Sequence, residues 1–598
     1  MIPAVEDTLV DRWMRLATCS RYGARFVDRR GEARFHPYQE VLEASLRASA
    51  GLADRGLEAG DRVAILLPTS LEFLTTFLGV QLAGGIPVAL YPPVRLGRLD
   101  EYFVRTRRML DTIGARFLVT DRRIRQVVGP AVESVRSLEH SIDVGDLSRG
   151  GHWTPVPVDP DTPAFLQFSS GTTGDPKAVM ISHRNALANL EMIDSFFQDV
   201  TADEAEQGGV CWLPLYHDMG LLGCLMLGLY HPGTMTYVGP ELFVTRPAVW
   251  LQVMSRYRAL VSPAPNFAYG LCTARIRDEE LEGVDLSNWR IAFNGAEPID
   301  VEVMRAFTQR FARWGLRPEV MTPVYGLAEA GLAVSFSQPG ALPRVVEFDR
   351  EALARRGRAT AGPGRRLVAV GRPMPGMEVA ILKDGRPVPD GTIGTVTVRG
   401  PSITRGYFND ASLNARWLHD GWLDTGDLGF FHGDDLFIAG RKKDLVIVRG
   451  RNYAPQEIEE SLAGIPGLRA GCVVAVGHVV EGRGEQLVIL AERDPRVERP
   501  AAAVEADICA RISKALSLVP DRVHLLAPGT LPRTSSGKLR RRTALELLAS
   551  DGLVAPRHVG ILRLLSVMLL SWLAWGRRRW RLARGRVRIG DGAPAESP

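Results

Sequence analysis

Nine consecutive residues, Ser169-Ser170-Gly171-Thr172-Thr173-Gly174-Asp175-Pro176-Lys177, gather hydroxyls, glycines and one cation into a single loop. Glycine lets backbone approach a ligand closely. Successive N–H groups in such a loop form a concavity for an anion. The hydroxyls and Lys177 add donors, so the guest that suits the loop is a polyphosphate. The spacing is not that of a P-loop, which needs four residues between its first glycine and Gly-Lys-Ser/Thr and opens a helix. Here a short apolar run, Ala178-Val179-Met180-Ile181, follows, and another, Ala164-Phe165-Leu166-Gln167-Phe168, precedes. Both predict strands. The same residues also suit an ordinary polar hairpin turn.

Other stretches hold further reactive side chains. His217 and Asp218 adjoin in Trp212-Leu213-Pro214-Leu215-Tyr216-His217-Asp218-Met219-Gly220, as an acid–base pair or as a structural His–Asp hydrogen bond. Two predicted strands run into glycine turns, one carrying Gly295-Ala296-Glu297 and one carrying Tyr325-Gly326-Leu327-Ala328-Glu329. Ligands of α/β sheets bind beyond the carboxyl ends of strands. Two such turns can flank a flat ring, with Tyr325 offering an aromatic face, although each alone also reads as a plain loop. Asp427, in Trp422-Leu423-Asp424-Thr425-Gly426-Asp427, is an acceptor only when ionised and can chelate the two hydroxyls of a diol, or it is simply a turn residue. Gly440-Arg441-Lys442-Lys443-Asp444 is a charge cluster of the sort that usually faces solvent. Lys538, after Ser535-Ser536-Gly537, says little by itself.

The elements that must hold these residues alternate. Tyr38 to Arg55, Leu71 to Leu82 and Arg98 to Ile113 read as helices; Val63–Pro68, Ile86–Leu90 and Arg116–Thr120 read as strands. That alternation predicts α/β layers on a mostly parallel sheet. Val379–Leu382 and Thr395–Arg399, with turns at Asp384-Gly385 and Asp390-Gly391, predict a separate antiparallel subdomain. Residues 331–370 read as a long Arg- and Gly-rich connection with a helix-like piece at Asp349 to Arg356. Residues 459–548 read as a compact α+β unit.

The 598 residues exceed one domain. Arg577, Arg578, Arg579, Arg581, Arg584, Arg586 and Arg588 carry more than the whole net charge of +5, so the body is slightly acidic. This argues against a nucleic-acid-binding core. Six scattered cysteines form no C-x-x-C pair or zinc spacing and read as reduced thiols of a cytoplasmic protein. The acidic start lacks the apolar segment of a signal peptide.

The loop 169–177 with Ser182-His183 resembles the signature loop of the adenylate-forming, AMP-binding superfamily. The 212–220 stretch and Gly450 to Glu459 resemble the fatty acyl-AMP ligases in particular. The motifs follow one another in that family's order over about residues 10–548. The resemblance implies a large N-terminal adenylation domain, 1–440, of two α/β layers plus a β-subdomain, and a small mobile α+β lid, 441–548. It implies ATP and Mg²⁺ as cofactors and R-COO⁻ + MgATP → R-CO-AMP + PPi as the reaction, with a fatty or related carboxylic acid as substrate. By the same resemblance, Ser169, Ser170, Gly171, Thr172, Thr173, Gly174 and Lys177 hold phosphates. Gly295, Ala296, Glu297, Tyr325, Gly326 and Leu327 sandwich adenine. Glu329 helps hold Mg²⁺, Asp427 and Arg441 bind ribose, Lys443 is the hinge, His217 sits by the substrate carboxylate and Lys538 is the catalytic lysine. The long 331–370 connection matches an insertion that family members carry and that accompanies poor use of coenzyme A.

The expected acceptor is the phosphopantetheine arm of a separate acyl carrier protein. The alternatives are coenzyme A, as in an acyl-CoA synthetase, and a non-catalytic membrane-associated adenylate-binding protein. The tail, 549–598, departs from the family pattern. Gly560 to Trp575 is apolar but short of the roughly 20 residues that cross a bilayer. With Trp572, Trp575, Trp580 and the arginines, 560–588 reads either as an interfacial anchor on anionic lipid or as a helix docked on protein. Nucleic-acid binding by the arginines ranks behind both.

Overall fold

The computed structural model describes residues 7–93, 96–147, 151, 153–169, 176–201, 208–231, 233–448, 451–480, 484–534, 537–556 and 561–590. A six-stranded sheet runs in the order His140–Asp143, Phe117–Thr120, Arg62–Leu66, Ile86–Ala89, Pro163–Ser169, Lys177–Ser182. It is parallel except for its last pair, which is an antiparallel hairpin. Its inner strands are mostly apolar because helices cover both faces; Val63, Ala64, Ile65 and Leu66 are all fully buried. A nine-stranded sheet runs Arg372–Pro373, Ala333–Phe336, Met321–Gly326, Ile291–Asn294, Val261–Ala264, Gly208–Cys211, Thr234–Val238, Gly23–Val27, Ala33–Pro37. It is parallel in the middle and antiparallel at both edges.

The helices Tyr38–Ala53 and Leu71–Leu82 pack closely, with Ser49 Oγ donating to the Gly79 carbonyl at 2.7 Å. The first 60 residues hold more than the single helix expected of them. Leu9–Met14 is a helix closed by a Thr8–Asp11 capping box, and the strand pair 23–37 forms the sheet edge. Six residues are too few for a helical period to show in sequence. Yet this helix braces the loop-bearing hairpin. Trp13 Nε1 donates to Gln81 Oε1 at 2.8 Å, and Gln81 Nε2 donates to the Ala164 carbonyl at 2.9 Å. The Leu9 N–H donates to His183 Nδ1 at 3.2 Å.

Burial brings the pKa of His183 down to about 4, with Asp11 opposing the shift. The folded state therefore binds this proton less readily than the unfolded chain. Stability should be unaffected by it above the ordinary value of 6.5 and fall as pH drops from there towards 4, by on the order of 3 kcal/mol. Thermal unfolding of wild type and His183→Gln across that window checks this; the variant should lose much of the slope.

A third, antiparallel sheet is built from Arg386–Pro387, Glu378–Lys383, Gly394–Arg399, Trp422–His432, Leu418–His419 and Asp435–Arg441. Asp384 and Gly385 take positive φ at its first hairpin, as an Asp-Gly turn does. Residues 331–370 are more ordered than their composition suggests. After the sheet strand Ala333–Phe336, Val345–Asp349 pairs antiparallel with Gly364–Val368. Phe348 packs edge-on against Phe430 and Phe437 of the third sheet. The helix-like piece is a single wide turn, Ala352–Arg356. Arg365 and Arg366 hide this hairpin in the sequence.

Beyond the Lys442–Asp444 turn, the C-terminal unit has a hairpin, Val446–Val448 with Arg451–Tyr453, and a sheet of Leu468–Val480, Gly484–Arg493 and Arg522–Leu526. Alternation sends Ala475, Leu487 and Ile489 to one face, under the helices Pro455–Ser461 and Ala501–Leu516. It sends Val474, Val488 and Leu490 to the other, under Arg541–Ala549. The tail forms one helix, Ile561–Gly590, which lies on the helix Arg122–Val132 of the N-terminal domain. Of the two readings of the tail, the docked helix is thus present.

Candidate active site

Ser169 and Lys177 face each other as the last pair of their hairpin. Ser170, Gly171, Thr172, Thr173 and Gly174 lie outside the described residues. The segment 404–408 runs beside the strand that leaves the loop: the Met180 N–H donates to the Gly406 carbonyl at 3.0 Å and the Phe408 N–H to the Ala178 carbonyl at 2.8 Å. This puts the Lys177 ammonium 5.7 Å from the centre of the Tyr407 ring and 5.6 Å from that of Trp417, within cation–π range. Burial lowers the pKa of Lys177, and the Glu329 carboxylate works against that. The Tyr407 hydroxyl donates to Glu329 Oε1 at 2.9 Å. Burial raises the pKa of Glu329 despite that bond.

The two glycine turns emerge side by side because Ile291–Asn294 and Met321–Gly326 are parallel neighbours. A Cβ on Gly295 would lie 2.9 Å from the Val324 carbonyl oxygen, and one on Gly326 would lie 1.9 Å from that of Leu332. Backbone packs on backbone at both points, which only glycine permits. Ala296 is left-handed, with φ of 65°. The next residue, Glu297, accepts the Phe267 N–H at 2.5 Å. The Leu327 N–H closes its turn on the Leu332 carbonyl at 2.9 Å.

The buried Asp427 joins three elements. Its Oδ2 accepts the Tyr325 hydroxyl and its Oδ1 accepts Arg441 Nε, each at 2.8 Å. The latter pair also face each other across the strand pairing. Asp427 raises the pKa of Arg441 further. Lys443 is exposed in the Lys442–Asp444 turn.

His217 Nδ1 lies 2.6 Å from Asp218 Oδ1, which also accepts the Met219 N–H at 2.7 Å. Gln167, on the strand entering the loop, donates to the Tyr216 carbonyl at 2.6 Å and so ties this turn to the hairpin. Lys538 comes from the C-terminal unit on a tight turn. The Thr534 N–H donates to the Lys538 carbonyl at 2.8 Å, and the Lys538 N–H to Thr534 Oγ1 at 3.0 Å. Burial lowers the pKa of Lys538, while Asp218 and Glu297 favour its charge. Burial works to raise the pKa of Asp218, but His217 and Lys538 hold it below the ordinary carboxylate range. The C-terminal unit therefore brings Lys538 within electrostatic reach of the Glu297 turn, the His217–Asp218 turn and the Asp427–Arg441 pair.

Sequence reasoning missed Tyr407, Trp417 and Gln167. Tyr407 follows Gly406 in a turn with Asn409 at positive φ; an aromatic beside a glycine turn was the available signal, as at Tyr325. Trp417 and Gln167 look like ordinary core and strand residues, and only the fold brings them to the site. Two arginines of the N-terminal side reach the C-terminal unit. Arg350, in the 331–370 segment, pairs with Glu457 at 2.7 Å and donates to the Ala515 carbonyl. Arg98 donates to the Thr530 carbonyl at 2.8 Å.

The AMP-binding enzyme family profile matches residues 17–408. Over 525 residues the chain is 35% identical to the long-chain-fatty-acid–AMP ligase FadD26 of Mycobacterium marinum, covering 82% of this chain and 88% of that protein. It is 34% identical over 517 residues to 4-hydroxyphenylalkanoate adenylyltransferase of Mycobacterium tuberculosis, covering 82% of each. A solved fatty acyl-adenylate ligase, described for the E. coli and L. pneumophila enzymes, superposes with a TM-score of 0.86 at 33% identity, over 92% of this chain and 99% of that one. On these matches the chain belongs to the AMP-binding, adenylate-forming enzymes and is a ligase of the fatty acyl-AMP ligase type.

Proposed function

We propose that the protein joins a long-chain fatty acid to AMP with release of pyrophosphate, and then passes the acyl group to the phosphopantetheine thiol of an acyl carrier protein. The observation that supports the first step is the burial of Lys538 within electrostatic reach of Asp218 and Glu297, on the other domain. The substrate carboxylate is itself the nucleophile, so the site needs alignment and charge neutralisation rather than an activated serine or cysteine. Lys177 and the 169–177 loop hold the phosphates, the turns at 295–297 and 325–327 take adenine, and Asp427 with Arg441 takes ribose. His217 sits beside the acyl carboxylate. Lys538 neutralises charge on the carboxylate and α-phosphate oxygens as it builds.

Among the described residues no group of three or more His, Cys, Asp or Glu side chains gathers round one metal position. The half-buried Glu329 offers a single carboxylate, which fits an ion held mainly by phosphate and water oxygens, as Mg²⁺ is. Glu329 would hold it beside the phosphates, where it supplies charge neutralisation. After adenylation the lid turns about Lys443, withdrawing Lys538 and opening the adenylate to its acceptor. All six cysteines are free thiols, which suits a reducing, cytoplasmic setting.

The likeness to a relative named as a fatty-acid–AMP ligase rather than a coenzyme A ligase supports the carrier protein over coenzyme A. The test is to incubate the enzyme with ATP and a long-chain fatty acid, then add coenzyme A or phosphopantetheinylated carrier. Pyrophosphate release with thioester on the carrier alone is the expected outcome. Efficient acyl-CoA formation would make it an acyl-CoA synthetase, and no ATP turnover with any acid would end the catalytic reading.

A further inference from the structure

The tail helix is docked through one side only. Val567, Ser571, Ala574, Trp575 and Arg578 are buried and meet the helix 122–132 and the chain that follows it. The Gly129 N–H donates to Ser571 Oγ at 2.9 Å, and the Ser571 hydroxyl and Trp575 Nε1 donate to the Arg125 carbonyl at 3.1 and 2.9 Å. A Cβ on Gly129 would lie 2.4 Å from the Ser571 carbonyl oxygen. Arg578 reaches the Val132, Val135 and Leu138 carbonyls, and Arg577 grips Glu133 with two bonds of 2.6 and 2.9 Å. These are specific contacts that set one rotation of the helix.

In that rotation a second apolar side faces outward. Leu565, Leu569, Trp572 and Trp580 are 55%, 58%, 66% and 56% exposed. Their spacing of four, three and eight residues puts them on one helical face, which Leu570 and Leu573 widen. A single exposed leucine is unremarkable, but a contiguous stripe of leucines and tryptophans marks an interaction surface. Residues 561–590 contain eight arginines and no acidic residue. Arg563 pairs with Asp100, Arg577 and Arg581 pair with Glu133, and Arg578 is buried against backbone carbonyls. Among the described residues, two carboxylates of the body thus answer eight positive charges, and the helix stays strongly cationic. No helix among the described residues is long and apolar enough to cross a membrane.

We propose that this outward face is a preformed interfacial anchor that lays the enzyme on an anionic lipid surface. Charge selects this occupant. Leucine and tryptophan enter the headgroup boundary while arginines meet anionic headgroups. A second copy of the same helix would bring no negative charge to those arginines. Because the helix is held by the protein beforehand, binding requires no folding, and it fixes the orientation of the N-terminal domain to the surface.

Flotation of the full-length protein with phosphatidylglycerol-containing vesicles and with pure phosphatidylcholine vesicles tests this. The wild type should bind the anionic vesicles about tenfold or more better, and less so in high salt. Leu569→Glu/Trp572→Glu, and independently Trp580→Glu, should lose most of that binding while keeping wild-type adenylation of a soluble short-chain acid. That activity reads the catalytic assignment separately from the anchor. Absence of wild-type binding, or variants that float as well as wild type, would overturn the proposal. So would a wild-type dimer that the variants turn into monomers with vesicle binding intact, since the face would then be a contact between copies.

Discussion

Lys538→Ala is expected to lower acyl-adenylate formation by about 10²–10³-fold, the usual cost of removing one preorganised group from developing transition-state charge. The site is arranged for that loss. Lys538 stands among Asp218, Glu297 and Asp427, so its removal leaves acidic groups facing the place where phosphate and carboxylate oxygens must approach. ATP–pyrophosphate exchange measures the effect. Acyl transfer from supplied acyl adenylate should suffer far less, because the proposed lid rotation withdraws the lysine before that step. The pH profile gives an independent reading. Burial lowers the pKa of Lys538, so activity that needs its charge should decline at a lower alkaline pH than an ordinary lysine would set. Exchange at near-wild-type rates in Lys538→Ala would refute the assignment.

Asp427→Ala should raise the KM for ATP by about 10²-fold, with a smaller fall in kcat. Each carboxylate oxygen already takes one donor, Tyr325 or Arg441. An ionised carboxylate has about four acceptor positions, so one remains on each oxygen for a pair of ribose hydroxyls. Charge-assisted bonds of this kind contribute about 1.5–3 kcal/mol each, and losing two accounts for the expected change. Alanine also leaves the Tyr325 hydroxyl without its acceptor in a buried site. The melting temperature should therefore fall by a few degrees. Asp427→Asn, which keeps one oxygen acceptor, should recover part of the stability and less of the affinity. Steady-state kinetics with ATP varied, alongside thermal unfolding, separates the two roles. An unchanged KM would remove Asp427 from the nucleotide site.

Local pattern made most elements legible. The helix Leu71–Leu82 has the limits its periodicity predicts, since a capping serine precedes the run and glycines follow it. The motif residues stood out as candidates because glycines, hydroxyls and charged groups gather there in short stretches. The 331–370 segment was not legible. Its hairpin is stabilised by Phe430 and Phe437, some 60 residues or more further along, and nothing local announces them.

What the sequence by itself determined is the alternation of strands and helices and the strand pair that leads into and out of the 169–177 loop, because each depends on backbone preferences within a few neighbours. What only the tertiary structure decided is the company those residues keep: Tyr407 and Trp417 around Lys177, Gln167 anchoring the His217 turn, Arg350 on the lid, and which side of the tail helix faces out. Those outcomes follow from packing between segments far apart in the chain. The tail shows it most plainly, since both sides of that helix carry apolar residues, and the polar groups of Arg125, Gly129 and Glu133 select the side that is buried.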